Sequence, residues 1–385
     1  MYALSCDGVR IAQTGADDIT FESGTLMQRV SAADVLTCTL VPENPYKNYV
    51  ALRSSILTLE RLDGQGVWSE IFRGQAIHTG DNENGFFQIS GLGDMSFLHD
   101  IMIEPFTYTG TLAGLLDGIL SEYSSNAPAK KKIYKGTVTV SGSVSGWETT
   151  SYKSAWDLIQ GLVDDYGGAL FMRYLSDGTR GLDWLADVGR YASQPVVWGD
   201  NLLSVEIEND ASDVVNTLVA EGENSLIRAY SDADSVAQFG PVYGYQRFSG
   251  ISNVYDLKNA ADAALAKLKN ASRSVAGRAI DKYMQGLMPF KVGDFAEAIS
   301  KVHLLDEWIL VSELKHDLTG KSPLQVTLGR IGDSMTASNR TKTINTWIKT
   351  QQGTAPPRAK AIDANEVYAV DAGTGDYAVA MQMEG

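Results

Sequence analysis

The strongest constraint on this chain is an alternation of apolar and polar residues at period two, which runs through residues 1–103 and is broken only by turn-forming clusters. Such a pattern suits a strand that buries one face and wets the other. Leu36, Cys38 and Leu40 point one way, Thr37 and Thr39 the other. Further strands are predicted over 55–61, 71–79 and 85–91. The joins between them, Asp63-Gly64-Gln65-Gly66 and Asp81-Asn82-Glu83-Asn84-Gly85, are rich in residues that close tight turns. A small antiparallel sheet or barrel is the expected first domain.

The period changes after Pro105. Thr111 can cap a helix whose apolar side carries Leu112, Leu115, Leu116, Ile119 and Tyr123. A second helix starts at Ser154, with Asp157 three residues on, buries Trp156, Ile159, Leu162 and Val163, and stops at Gly167-Gly168. A strand over 136–143 separates them, and a hairpin over 169–175 and 181–185 follows. Residues 104–198 thus read as a mixed α/β insert.

Alternation resumes after Asn201, through Leu203, Val205 and Ile207 and then over 214–221. A polar, glycine-rich stretch over 231–252 leads to a helix over 256–271, striped by Leu257, Ala261, Ala264, Leu265 and Leu268. Residues 292–331 loosely repeat the plan of the first domain, with Trp68, Ile71, Ile77, Ile89 and Gly91 matched by Trp308, Val311, Leu314, Val326 and Gly329. The fold class expected is mainly β with an α+β insert. Its plan is a β-barrel domain at 1–103, the insert at 104–198, a second β-barrel domain with one helix at 199–334, and a linker with a C-terminal extension at 335–385. In that extension, 367–370 and 377–380 could be strands only beside a neighbour.

The chemistry of the chain is sparse. His78, His99, His303 and His316 make no HxxxH, HExxH or HxH pattern, so zinc peptidase chemistry has no visible ligand set. No GxSxG elbow, P-loop or dinucleotide fingerprint occurs. Asp164-Asp165 would be the obvious glycosidase pair, but two acids beside a Gly-Gly stop are more often solvated. Trp198-Gly199-Asp200-Asn201 and 209–216 look like turns stabilised by Asn and Asp side chains. Cys6 and Cys38 have no metal-binding spacing and read as small core residues, with a disulfide between them left open. No catalytic, cofactor-binding or metal-binding residue is assigned.

Charge narrows the partners. The 32 Lys and Arg residues against 47 Asp and Glu give a formal net charge of -15, which disfavours gripping DNA. The one basic cluster, Lys130-Lys131-Lys132 with Lys135, reads as a solvated loop. An acidic wall could still face DNA, because like charges keep a passing polyanion from sticking. The N-terminus lacks a signal-peptide pattern and no window is apolar enough for a membrane span.

The order of several motifs carries a resemblance. These are Glu70-Ile71-Phe72-Arg73-Gly74-Gln75-Ala76-Ile77, Ser151-Tyr152-Lys153-Ser154-Ala155-Trp156-Asp157-Leu158-Ile159 and Gly168-Ala169-Leu170-Phe171-Met172-Arg173, followed by Trp198-Gly199-Asp200-Asn201-Leu202-Leu203, 214–222 and Val292-Gly293-Asp294. Together they resemble the phage tail hub proteins, the Tal-like and baseplate-hub family of siphophages and contractile tails. The resemblance implies a structural, non-enzymatic homotrimer at the tail tip. Each chain would offer two tail-tube-like β-barrels, so that three chains meet a six-fold tube. Implied partners are the distal tail protein or tail tube ring, the tape measure protein, and tail fibre or spike proteins. DNA would cross the channel without specific binding, and the protein would be assembled in the host cytoplasm into the virion. Longer relatives carry hydrolase or fibre domains that have no counterpart here. The alternatives are a tail-associated cell-wall hydrolase and a sugar-binding tip module using Tyr243, Tyr245 and Phe248.

Overall fold

The computed structural model describes residues 1–63, 66–174, 179–187 and 189–329, together with two short strands near the C-terminus. The first β module comprises β1 (Tyr2–Cys6), β2 (Val9–Gln13), β3 (Phe21–Arg29), β4 (Val35–Leu40), β5 (Ile56–Leu62), β6 (Trp68–Asp81) and β7 (Phe87–Gly93). In β4 the alternation does what it predicts: Leu36, Cys38 and Leu40 enter the core with Leu4, Ile11, Leu26, Leu57, Leu59 and Ile89, while Thr37 and Thr39 face outward.

Next come β8 (Met102–Ile103), β9 (Thr107–Thr111), α1 (Leu112–Asn126), β10 (Ile133–Val138), β11 (Ser143–Glu148), β12 (Lys153–Ser154), α2 (Ala155–Tyr166), β13 (Ala169–Tyr174) and β14 (Arg180–Leu185). The Thr111 hydroxyl accepts from the Gly114 amide at 3.1 Å, and that of Ser154 from the Asp157 amide at 3.1 Å, so both helices start at the expected caps. Gly167 ends α2 at φ 75°, a conformation that favours glycine. The helices pack Leu115, Leu116, Ile119, Leu158, Ile159 and Leu162 around the buried Trp184 of β14, a core separate from that of the first module. In place of one strand over 136–143, the sequence between the helices forms β10 and β11. Gly142 takes φ 149° between them, and the two pair with different neighbours, β14 and β9.

The chain continues with β15 (Val196–Val197) and β16 (Leu202–Asp210). From β16 the chain enters a second compact unit, Ile207–Ser274 among the described residues. It holds β17 (Thr217–Glu221), β18 (Ile227–Ser231), α3 (Ala233–Phe239), β19 (Tyr243–Arg247) and α4 (Val254–Leu268). β17 lies centrally, antiparallel to β18 and parallel to β19, and α4 covers Leu218 and Ala220 with Leu257, Ala261 and Leu265. The Asn253 side chain caps α4 through the Asp256 amide at 2.9 Å, so the helix starts before the expected 256. The stretch that reads as a glycine-rich excursion contains α3 and β19; Gly240, φ 76°, separates them.

The chain returns to the first unit through β20 (Ser272–Ile280), β21 (Phe295–Ser300), β22 (Leu305–Asp317) and β23 (Gln325–Leu328). Near the C-terminus β24 (Tyr368–Val370) and β25 (Tyr377–Val379) pair with each other, Ala369 opposite Ala378. The rest of the expected C-terminal linker lies outside the described residues.

The strands of the large sheet follow the path β16-β20-β23-β22-β3-β4-β7-β6-β5-β1-β2, with β21 and β15 branching from β22. The molecule is mainly β with an α+β insert, as expected, and the path is open: among the described residues no pairing joins β16 to β2.

Two halves of this path repeat one plan. β6 pairs with β5 through its first half and β7 through its second, as β22 does with β21 and β23. Each long strand carries a bulge where its partner changes: Ile77 is the extra residue between Ala76 and His78, and Ser312 that between Val311 and Glu313. On this register Val311 corresponds to Ala76 and Leu314 to Thr79. The sequence alignment that matches them to Ile71 and Ile77 is therefore shifted, whereas Ile89 and Val326 do correspond. The halves join where β22 pairs with β3, Glu313 opposite Arg29 through Asp317 opposite Thr25.

Candidate functional site

The residues that could suggest catalysis are scattered. His78 is exposed on β6, the His99 ring lies 5.3 Å from that of Trp156, the His303 ring 4.7 Å from that of Trp198, and His316 is buried in β22. Among the described residues no group of three or more His, Cys, Asp or Glu could hold a metal ion. Asp164 accepts from Gln160 Nε2 at 3.0 Å, an in-helix contact that builds no acid pair across a cleft. The basic cluster is partly neutralised by Lys131 on Asp100 at 2.9 Å and Lys135 on Asp117 at 3.4 Å. Cys6 and Cys38 are free and buried, and burial pushes the Cys38 thiol up to about 12.

The expected turn chemistry is present. Asn201 Oδ1 accepts from the Val197 amide at 2.8 Å and its Nδ2 donates to Pro195 and Ile280 carbonyls. Tyr243 and Tyr245 are exposed on β19, but Phe248 packs inward against the core of the second unit, so the three do not form one aromatic platform.

The extended feature that remains is the outward face of β3, β4 and β7. Their register places Ser23 beside Thr39, Thr25 beside Thr37, and Thr37 and Thr39 beside Ser90 and Gln88. These six side chains line a shallow depression of about 340 Å³. The Thr25 and Thr37 hydroxyls are 2.9 Å apart. These six side chains are uncharged; the charged residues of β3, Glu22 and Arg29, lie on either side of them along the strand. On β22 the face continues into Glu313, paired with Arg29 at 2.8 Å, and exposed Lys315. The acid excess of the sequence is therefore not concentrated on β3, β4 and β7.

What holds this face in shape lies directly behind it. Gln28 Nε2 donates to Asp34 Oδ2 at 3.1 Å and to the Ile71 carbonyl at 2.9 Å, which leaves Oε1 to accept from His316 Nε2 at 3.0 Å. That fixes the proton on Nε2, so His316 Nδ1 accepts from the Tyr2 hydroxyl at 3.3 Å. Burial depresses His316 to about 3 and raises Asp34 to about 7 against the opposing pull of Gln28. Nothing in the sequence pattern joins these four groups, because 288 positions separate Gln28 from His316 and 314 separate Tyr2 from it.

A second buried network ties the insert to the first module. Asp94, just after β7, forms an ion pair with Arg180 of β14 and accepts from the Tyr174 hydroxyl at 3.2 Å, while Arg180 also lies over the Phe97 ring. Burial raises Asp94 despite the Arg180 charge beside it. Both networks position elements.

No protein-family model matches the chain, and no curated protein matches it in sequence. Solved structures do. A tail protein from Neisseria meningitidis superposes with a TM-score of 0.58 at 15% identity, over 86% of this chain and 97% of that one. A 43 kDa tail protein of a Shewanella oneidensis prophage gives 0.56 at 13% over 87% and 98%, and a prophage tail protein from Listeria monocytogenes 0.55 at 11% over 91% and 99%. With two β modules joined edge to edge and an α+β insert between them, the chain has the fold of phage tail proteins.

Proposed function

We propose that this chain is a structural hub at the distal end of a phage tail, a homotrimer whose six β modules form a ring beneath a six-fold tube. What carries the proposal is the repeated strand plan, matched down to the bulges at Ile77 and Ser312, within a fold that covers nearly the whole length of three phage tail proteins. Two like modules per chain let three chains present six like surfaces. In this proposal residues 1–103 and 199–334 are the ring-building modules and 104–198 is an outer insert. The ring docks on the distal tail protein or tube ring, meets the tape measure protein, and carries fibre or spike proteins below.

The uncharged Ser, Thr and Gln face of β3, β4 and β7 lines the channel. Short neutral side chains give a passing polyanion no counter-charge to bind, so low adhesion comes from neutrality at the wall rather than acidity. The protein acts by assembly and not by catalysis. Native mass spectrometry and light scattering on the purified chain are expected to give three times 41.7 kDa. A monomer that lyses cell-wall suspensions would instead return the hydrolase alternative.

A further inference from the structure

In the second compact unit the two sides of the three-stranded sheet differ. Leu218 and Ala220 of β17 turn towards α4, which buries them. Strand alternation sends Val219 and Glu221 to the other side. The register sets Ala229 and Ile227 of β18, and Tyr245 and Arg247 of β19, directly beside them. Tyr243, two residues before Tyr245, shares that side, and Tyr243, Tyr245, Ile227 and Arg247 are all exposed on it. The side closes at the Thr217 end, where that residue is buried.

How these side chains are held says what they can take. Tyr245 stands opposite Val219, yet its hydroxyl donates to the Glu221 carboxylate, two residues further along β17. A diagonal neighbour of this kind is about 7 Å away, so the bond draws the ring down along the sheet instead of letting it stand off into water. The same carboxylate lies 3.8 Å from Arg247 Nε. Burial, with the Glu221 bond adding to it, pushes the Tyr245 hydroxyl up to about 12, so it stays a donor wherever the carboxylate is charged. An aromatic ring is thus fixed beside an ionised acceptor and an ionised donor.

Charge decides the class of ligand. Glu221 and Arg247 cancel, so the site offers no net charge to a phosphate backbone or to a cationic peptide. A neutral sugar ring needs what is present. Its hydroxyls both donate and accept, and bond best to ionised partners of each kind, while its C–H bonds pack on the electron-rich face of a tyrosine. Tyr243 and Tyr245, roughly 7 Å apart along one strand, give two such rings in a row, as a chain of sugars requires.

We propose that this side of the sheet binds a neutral glycan, with successive sugar rings on Tyr245 and Tyr243 and sugar hydroxyls bonded to Glu221 and Arg247. Phe248, which packs inward, takes no part. The activity is separate from ring-building, so the hub proposal does not depend on it.

The test is ligand-observed saturation-transfer NMR on the full chain with three neutral sugars, chitotetraose, cellotetraose and maltotetraose. At least one is expected to take up saturation, most strongly at its ring C–H protons. Tyr245→Ala and Tyr243→Ala each weaken that binding about tenfold, and Glu221→Ala weakens it about as much. Two tyrosine variants are used so that one that failed to fold leaves the other to decide. Tyr255→Ala, which removes an exposed tyrosine from α4, binds as the wild type does. Affinities at about 50 mM and about 500 mM salt agree within about twofold, because a neutral ligand displaces no counterions. Failure of the folded protein to saturate any of the three sugars overturns the proposal. So does binding that survives both tyrosine substitutions, or a preference for single-stranded oligothymidylate over every sugar.

Discussion

Opposing protonation behaviour sits within a single hydrogen-bonded chain of side chains. His316 titrates near 3 in the folded state against 6.5 when unfolded, so the stability it contributes is complete above 6.5 and is lost as pH falls towards 3. Asp34 runs the other way: raised from 3.8 to about 7, its contribution is complete below 3.8 and is lost as pH rises through 7. Between 3.8 and 6.5 the two slopes offset each other. Asp34→Asn is therefore expected to unmask acid sensitivity of about 1 kcal/mol per pH unit between pH 6.5 and 4, seen as a midpoint of thermal unfolding that falls faster with acid than the wild type's. A parallel pH dependence in the two proteins would mean that the pair does not titrate as described. The Asp94–Arg180 pair makes a different demand, since both partners are buried. Asp94→Ala strands a buried guanidinium and is expected to cost about 3 kcal/mol or more in denaturant unfolding, whereas Arg10→Ala, whose partner Glu60 is reached at an exposed position, costs under about 1 kcal/mol.

At the scale of elements, local signals were legible and distant ones were not. Thr111, Ser154 and Gly167 mark helix ends because their hydrogen bonds span three or four residues. The period-two runs in β4, β5 and β7 declare themselves because one face of each is core. α3 escaped because seven residues among glycines carry too little periodicity, and β19 because its partner β17 is parallel and must be reached through that helix. The correspondence between β6 and β22 was seen but misregistered: a bulge inserts one residue and turns the alternation over, so matching apolar positions across it gives the wrong offset. The Gln28–His316 contact that supports the polar face was not legible, because 288 positions separate its partners. An element-level prediction follows from the α4 cap. Asn253→Ala removes the acceptor for the Asp256 amide and is expected to destabilise by about 1 kcal/mol. Hydrogen exchange should quicken in α4 and remain unchanged in β4, and equal quickening in both would show that the cap acts on the whole chain.

For the whole molecule, the proposed role turns on what DNA would meet along the wall. Thr37 and Ser90 lie opposite each other on adjacent strands, Thr37 exposed and Ser90 partly exposed. Changing both to Arg should leave the fold intact, because an exposed strand position accepts a long side chain and the guanidinium stays in water. In a trimer that places this face on the channel, two substitutions become six new cations facing the DNA path. Each cation near a phosphate displaces condensed counterions, so adhesion rises steeply at low salt and fades as salt is added. Phage carrying Thr37→Arg with Ser90→Arg are therefore expected to assemble tails of normal appearance and to release DNA slowly at about 50 mM salt, with release recovering towards wild type at about 200 mM. Thr37→Asn with Ser90→Asn, polar but neutral, should release at the wild-type rate at both salt concentrations. Were the Arg variant to eject normally at low salt while the protein stayed folded and trimeric, this face would lie away from the DNA path, and the channel would have to be lined by a different surface of the same ring.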